Sequence, residues 1–350
     1  MTKAGRTYLD WNATAPLRPE ARAAMIDAMD LVGNPSSVHA EGRAATSVME
    51  RARQQVAVAF GAQAADIIFT SGATEAAALA LAGRSLSGGE IEHDAVHSWI
   101  TADLPMGPDG QIKIPDPARS CVQAANSETG ILQTVPPGLA VCDFTQAFGK
   151  VPVSFDWSGV EMALISSHKI GGPKGVGALV VRRGTEVPAQ IRGGGQEMGR
   201  RSGTENLIGI AGFGAAAAAA QRDLDAGRWD EVAQLRNILE LELDDAANKT
   251  ILLGKGAPRL PNTTCLATPG WKGETQVMQM DLAGFAVSAG SACSSGKVRT
   301  SRVLRAIGLD DTAAASALRV SIGPDTTEDQ VRRFAQAWLK SFARHDARAA

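Results

Sequence analysis

The feature that most constrains this chain is the alternation, from residue 66 onward, of short apolar runs with helical patterns. DIIFT (66–70) runs straight into SGATEAAALALAG, a helix pattern, while AVCDF (140–144), MALISS (162–167) and GALVVR (177–182) are further runs of strand length and composition. Near-continuous apolar strands alternating with helical segments predict an α/β fold with a mostly parallel central sheet. From about 211 the pattern is helical through 245, with Trp229, Val232, Leu235, Ile238 and Leu239 on one stripe. Beyond it NTTCLAT, FAVSAG and ALRVSIG mix strands with helices, as in a smaller α+β domain. The expected division is a large domain over 13–225 and a small one made of 1–12 plus 226–350.

A chain of 350 residues, 44% hydrophobic, can bury a large core without staples. Its formal net charge of −2 argues against a nucleic-acid binder, which needs concentrated basic charge, and points to a small ligand. The N-terminus has no apolar signal region and no stretch is long enough to span a bilayer, so no membrane association is expected. Cys121, Cys142, Cys265 and Cys293 form neither a CxxC pair nor a His–Cys cluster. No metal site is expected, and a reducing cytoplasm fits.

Three segments carry chemistry. Ser71-Gly72-Ala73-Thr74-Glu75 joins a strand to a helix start, where free backbone N–H groups and the positive end of a helix dipole meet. That suits a phosphate, with Thr74 adding a hydroxyl, although an ordinary helix cap uses the same residues. Asp143 ends an apolar strand, where open α/β sheets bind ligands, with Gln146 just beyond. A carboxylate there can keep a pyridine ring cationic. Ser166-Ser167-His168-Lys169 follows another strand and leads into a Gly/Pro loop. A lysine with a depressed pKa can form a Schiff base with an aldehyde, while Ser166 and His168 add phosphate donors. Each feature alone has a structural explanation; a phosphate cradle, a ring-nitrogen acid and a Schiff-base lysine in this order are far more specific.

With these residues in view, the chain resembles the cysteine desulfurases, a branch of the class V, fold-type I pyridoxal 5′-phosphate (PLP) enzymes. The matching segments include YLDWNATAP (8–16), IIFTSGATE (67–75), EHDAV (92–96), ANSETG (125–130), DFTQAFGK (143–150), SSHKIGGPKGVGAL (166–179), RGGGQEMGRRSGTEN (192–206), SAGSACSSGKV (288–298) and LRVSIGPDTTEDQ (318–330). They run nearly end to end. The resemblance implies Lys169 as the Schiff-base lysine, Asp143 and Gln146 on the pyridine nitrogen and ring oxygen, and Ala73, Thr74, Ser166 and His168 around the phosphate. It implies His93 stacked on the ring and handling protons, and Asn126 and Arg319 on the substrate carboxylate, Asn126 also bordering the cofactor. Thr204 corresponds to the residue that reaches the neighbouring subunit's phosphate, which implies a homodimer. Cys293, on a Gly/Ser loop, corresponds to the nucleophile that takes sulfur from L-cysteine and leaves L-alanine. An acceptor protein would then take the sulfur on to iron–sulfur clusters or tRNA thiolation.

The stretches 84–92, 103–121 and 130–142 are short for the family, and Pro136-Pro137 cannot continue a crossover helix. A sheet less covered on one face, inviting a partner, is the expectation. Trp11, Ser127, Val141 and Phe144 replace residues more usual in the family, and Phe144, next to Asp143, is placed to crowd the site. Two alternatives stay open: another class V aminotransferase or lyase, including a selenocysteine lyase, and a non-catalytic scaffold of sulfur transfer.

Overall fold

The computed structural model describes residues 5–244, 249–290 and 300–349. Its centre is a seven-stranded sheet in the order Ala65–Thr70, Gly177–Arg182, Met162–Ser166, Val141–Asp143, Ser120–Gln123, Ser87–Gly88 and Thr101–Ala102. Gly177–Arg182 is antiparallel to both neighbours, and every other adjacent pair is parallel. The parallel strands therefore end on one edge, and Thr70, Gln123, Asp143 and Ser166 lie along it.

Helices Ala40–Ala59 and Leu207–Asp225 pack against each other on one face, over a core that includes Phe69, Val122, Cys142, Ile165 and Val180. Helix Ala73–Leu81 covers Ile68, Val141, Leu164 and Leu179 on the other. Small residues make this packing close. The face of Leu207–Asp225 is largely Gly and Ala, and a Cβ at Gly214 would stand 2.6 Å from Ala52 Cα.

No α-helix occurs in 124–140 or 103–119; the chain crosses there as extended segments and turns. The expected exposure of one sheet face does not follow. Cys121, Val122, Val141, Cys142 and Met162 through Ile165 are all buried, because helices Ala73–Leu81, Ala40–Ala59 and Leu207–Asp225 still cover the two faces. Leu139 and Ile112, both within the shortened stretches, belong to the core themselves.

A second core gathers Leu9, Trp229, Val232, Leu239, Trp271, Phe334 and Trp338 around the sheet Ser288–Ala289, Ala317–Ser321, Thr263–Ala267 and Ile251–Leu252. The long helical stretch read from sequence is two helices, Leu207–Asp225 and Arg228–Asp244, broken at Gly227 in the left-handed region. Cys121, Cys142 and Cys265 are buried and unpaired. Among the described residues, no helix is long and apolar enough to cross a membrane.

Candidate active site

A cavity of about 540 Å³ opens at the strand-end edge. Strands and the turns that follow them deliver Ser71, Gly72, Ala73, Thr74, Gln123, Asp143, Thr145, Gln146, Ser166, His168 and Lys169 to its wall, and the second core's sheet delivers Arg319. The N-terminal segment supplies Asn12, Ala13 and Thr14.

One end of the cavity is a set of donors. Helix Ala73–Leu81 begins without a side-chain cap, so its first-turn N–H groups are available to a ligand. Gly72 precedes it at φ 154°, and a Cβ on Gly177 of the facing strand would lie 2.7 Å from Gly72 Cα, so both positions need glycine. Glu75 accepts the Ser71 N–H at 2.8 Å and is itself held by Arg201 Nε at 2.8 Å. His168 Nδ1 lies 3.2 Å from Thr14 Oγ1. Burial, reinforced by Lys169, Lys174 and Lys150, pushes its pKa down to about 4, so the ring is neutral at neutral pH.

Lys169 Nζ donates to the carbonyls of Asn12 at 2.6 Å and Ala13 at 3.0 Å. Asp143 Oδ1 accepts the Thr145 N–H at 2.9 Å, which fixes its carboxylate on the cavity wall. Gln146 Nε2 donates to Asn12 O at 3.0 Å. His93 begins the short helix Asp94–His97, and its Nδ1 accepts the Ala95 N–H at 3.1 Å. A ring whose Nδ1 is an acceptor carries its proton on Nε2 when neutral. Arg319 is buried, donating to Asp10 Oδ1 at 2.8 Å and to Ser127 O at 3.1 Å. Asp10 also accepts the Ser288 hydroxyl at 2.8 Å.

Two of the residues named from sequence do not line this cavity, and a third is not described. Asn126 does not line the cavity: its Oδ1 accepts from the N–H groups of Glu128 and Thr129, and its Nδ2 donates to Ile91 O. It shapes the loop that carries Ser127, and Ser127 and Gln123 line the wall instead. Thr204 is exposed, beside a separate hollow of about 250 Å³. Cys293 lies outside the described residues. Phe144 does not crowd the cavity; its ring turns into the core against Phe60, centroids 5.2 Å apart. Trp11 packs flat on Gly323, where a Cβ would come within 2.2 Å of the indole.

Sequence reading missed Asn12, Gln123, Thr145 and Lys150. Lys150 lies in the DFTQAFGK segment, four residues after Gln146, and only a fully buried environment distinguishes it from a solvated lysine.

The class V aminotransferase family profile matches residues 7–99 and 116–334. A cysteine desulfurase of Frankia sp. (strain EuIK1) is 40% identical, over 96% of this chain and 91% of the relative. The chain belongs to the cysteine desulfurases. A NifS-like protein from Rickettsia africae superposes with a TM-score of 0.88 at 29% identity, over 97% of this chain and 99% of that one. A structure described as SspA in complex with cysteine superposes with a TM-score of 0.74 at 25% identity, over 92% and 100%.

The enzyme is PLP-dependent, as its family is, and the cavity suits that cofactor. Its size matches a small-molecule site. The uncapped helix start, Ser166 and neutral His168 could hold a phosphate, Asp143 could pair with a protonated ring nitrogen, and Lys169 offers an amine to an aldehyde. The Thr145 hydroxyl on the same wall is buried without a hydrogen-bond partner among the described residues, as a group awaiting a ligand would be.

Proposed function

We propose that the enzyme converts L-cysteine to L-alanine and leaves the sulfur as a persulfide on Cys293, for delivery to an acceptor protein. The observation that carries this reading is the convergence of Lys169, Asp143, His93 and Arg319 on one cavity, in a chain 40% identical to a cysteine desulfurase. Two domains, 13–225 and 1–12 plus 226–350, meet at that cavity in this reading.

Ala73, Thr74, Ser166 and His168 hold the phosphate. Asp143 keeps a proton on the ring nitrogen, and Gln146 faces the ring oxygen. Bound PLP supplies an aldehyde carbon and a cationic ring that takes up electron density from the substrate Cα. Arg319 receives the substrate carboxylate, a task a planar guanidinium fork suits. Lys169 Nζ would be the amine that holds the cofactor's aldehyde, and as a free amine it would be the base that takes the substrate Cα proton. His93 manages the thiol proton. The Cys293 thiolate forms a bond to the substrate sulfur as the Cβ–S bond breaks, and Cβ gains the proton that completes alanine. Cys293–S⁻ and a CH₂–SH group thus become Cys293–S–S⁻ and a CH₃ group, with no outside oxidant. Thr204 reaches the phosphate of a second copy in a homodimer, and a cytoplasmic setting keeps the cysteines reduced.

The test is mass spectrometry of the PLP-loaded enzyme after brief exposure to L-cysteine, with alanine quantified alongside. One added sulfur on the Cys293 peptide, with alanine formed, is the expected result. A bound-cofactor absorbance band with neither product would sink the assignment.

A further inference from the structure

Lys150 is about 1% exposed, and the reaction as drawn above does not use it. Its Nζ donates to Gln146 Oε1 at 2.6 Å and to Asn12 Oδ1 at 3.0 Å. The charges that bear on it, Lys169 and Arg319, are both positive. Burial first, then these two cations, push its pKa well below the usual lysine value. Its N–H donors meet these two oxygens inside the fold.

This arrangement fixes the direction of the Gln146 amide. With Oε1 taken by the lysine, Nε2 must face away from it, and it donates to Asn12 O. Asn12 is equally constrained: its Oδ1 also accepts from Asn262 Nδ2 at 3.1 Å, and its Nδ2 donates to Thr263 Oγ1 at 2.8 Å and Ser127 O at 3.1 Å. The Asn12 carbonyl that receives Gln146 Nε2 also receives Lys169 Nζ. One buried amine thus orders the Gln146 amide and the side chain of Asn12, whose carbonyl receives both Gln146 Nε2 and Lys169 Nζ.

We propose that Lys150 is a positioning residue for this reaction, locking the Gln146 amide with its NH₂ group toward the cavity so that the cofactor's ring oxygen meets a donor. The proposal rests on the assignment of Gln146 to that oxygen. A donor there withdraws negative charge from the oxygen that shares a proton with the lysine–cofactor linkage, so losing it makes the linkage hold its proton more tightly.

The experiment is a spectroscopic pH titration of the visible cofactor band in the PLP-loaded enzyme. It compares the parent, Lys150→Met, Gln146→Met and the double variant. Lys150→Met is expected to raise the midpoint by about one pH unit, tenfold in proton affinity. Gln146→Met should raise it similarly, and Lys150→Met should add nothing in the Gln146→Met background. Lys150→Gln, which keeps an N–H donor, should fall between Lys150→Met and the parent; if Lys150→Met does not fold, Lys150→Gln takes its place in the cycle. Equal shifts from Lys150→Met in both backgrounds would overturn the proposal, since the lysine would then act without Gln146. No shift from Lys150→Met, with a shift from Gln146→Met, would overturn it too. An unmoved midpoint in Gln146→Met alone would instead overturn the assignment of Gln146 beneath it.

Discussion

Replacing Glu128 by Gln should make the enzyme more stable in alkaline solution and nearly unchanged in acid. Glu128 is 7% exposed, between the two chain segments that flank residues 291–299. Its Oε2 accepts the Ser301 hydroxyl at 2.6 Å, and a Cβ on Gly290 would lie 3.6 Å from the same oxygen. Burial pushes its pKa up to about 7 from the ordinary 4.5, against the opposing pull of the Ser301 hydrogen bond and of Arg319 and Arg302. A carboxyl with a raised folded pKa binds more protons folded than unfolded. Its contribution is therefore full below the unfolded value and is lost as the pH climbs from 4.5 to about 7. A gap of about 2.5 units corresponds to about 3 kcal/mol. Glutamine has the shape of the protonated acid but no charge to bury, so the variant escapes this loss. The assay is urea unfolding of parent and Glu128→Gln with PLP at a fixed saturating level, at about pH 5 and about pH 8. The difference between the two proteins should grow by roughly 2–3 kcal/mol in the variant's favour at the higher pH. A difference that does not change with pH would mean that Glu128 is already ionised in the folded state, and the argument from burial would be refuted.

Asp143→Asn should keep PLP bound but slow alanine formation by about 10²–10³-fold, because an amide cannot stabilise the ring proton; steady-state kinetics would show it. Arg259→Met should cost about 3–5 kcal/mol in urea unfolding, since Arg259 pairs with buried Glu240 through bonds of 2.8 and 2.9 Å and its loss strands that carboxylate. Adding Glu240→Leu should recover most of the loss, and no recovery would contradict the stranded-charge account. Gly177→Ala should destabilise the fold by about 1–3 kcal/mol and weaken PLP binding in an equilibrium titration, because the new Cβ would press on Gly72 Cα and Ile165 O, each 2.7 Å away.

Much of the fold was legible because its strands are apolar, short and punctuated. GALVVR forms the strand Gly177–Arg182, and DIIFT and MALISS differ from their strands by one residue at an end. What sequence could not convey was where side chains point. Asn126 occupies a motif position, yet its Oδ1 accepts from the Glu128 and Thr129 N–H groups of its own loop and its Nδ2 donates to Ile91 O. Phe144 adjoins Asp143 in the chain, but successive strand-end residues face opposite ways, and its ring joins Phe60. The shortened connections were recognisable from Pro136-Pro137 and from length. Their effect on exposure was not, since the remaining helices, with Ile112 and Leu139 from those stretches, still bury the sheet. Lys150 was missed for the same reason that makes it notable: composition gives no hint that a lysine lies entirely inside.

The cavity wall is drawn from the two extremes of the chain, with Asn12 at one and Arg319 at the other, and the central sheet between them. Synthesis delivers Ser71, Asp143 and Lys169 well before Arg319. The Asp10–Arg319 ion pair joins residues 309 apart in the chain. The Arg319 side of the wall can therefore form only after both partners of that ion pair have been made.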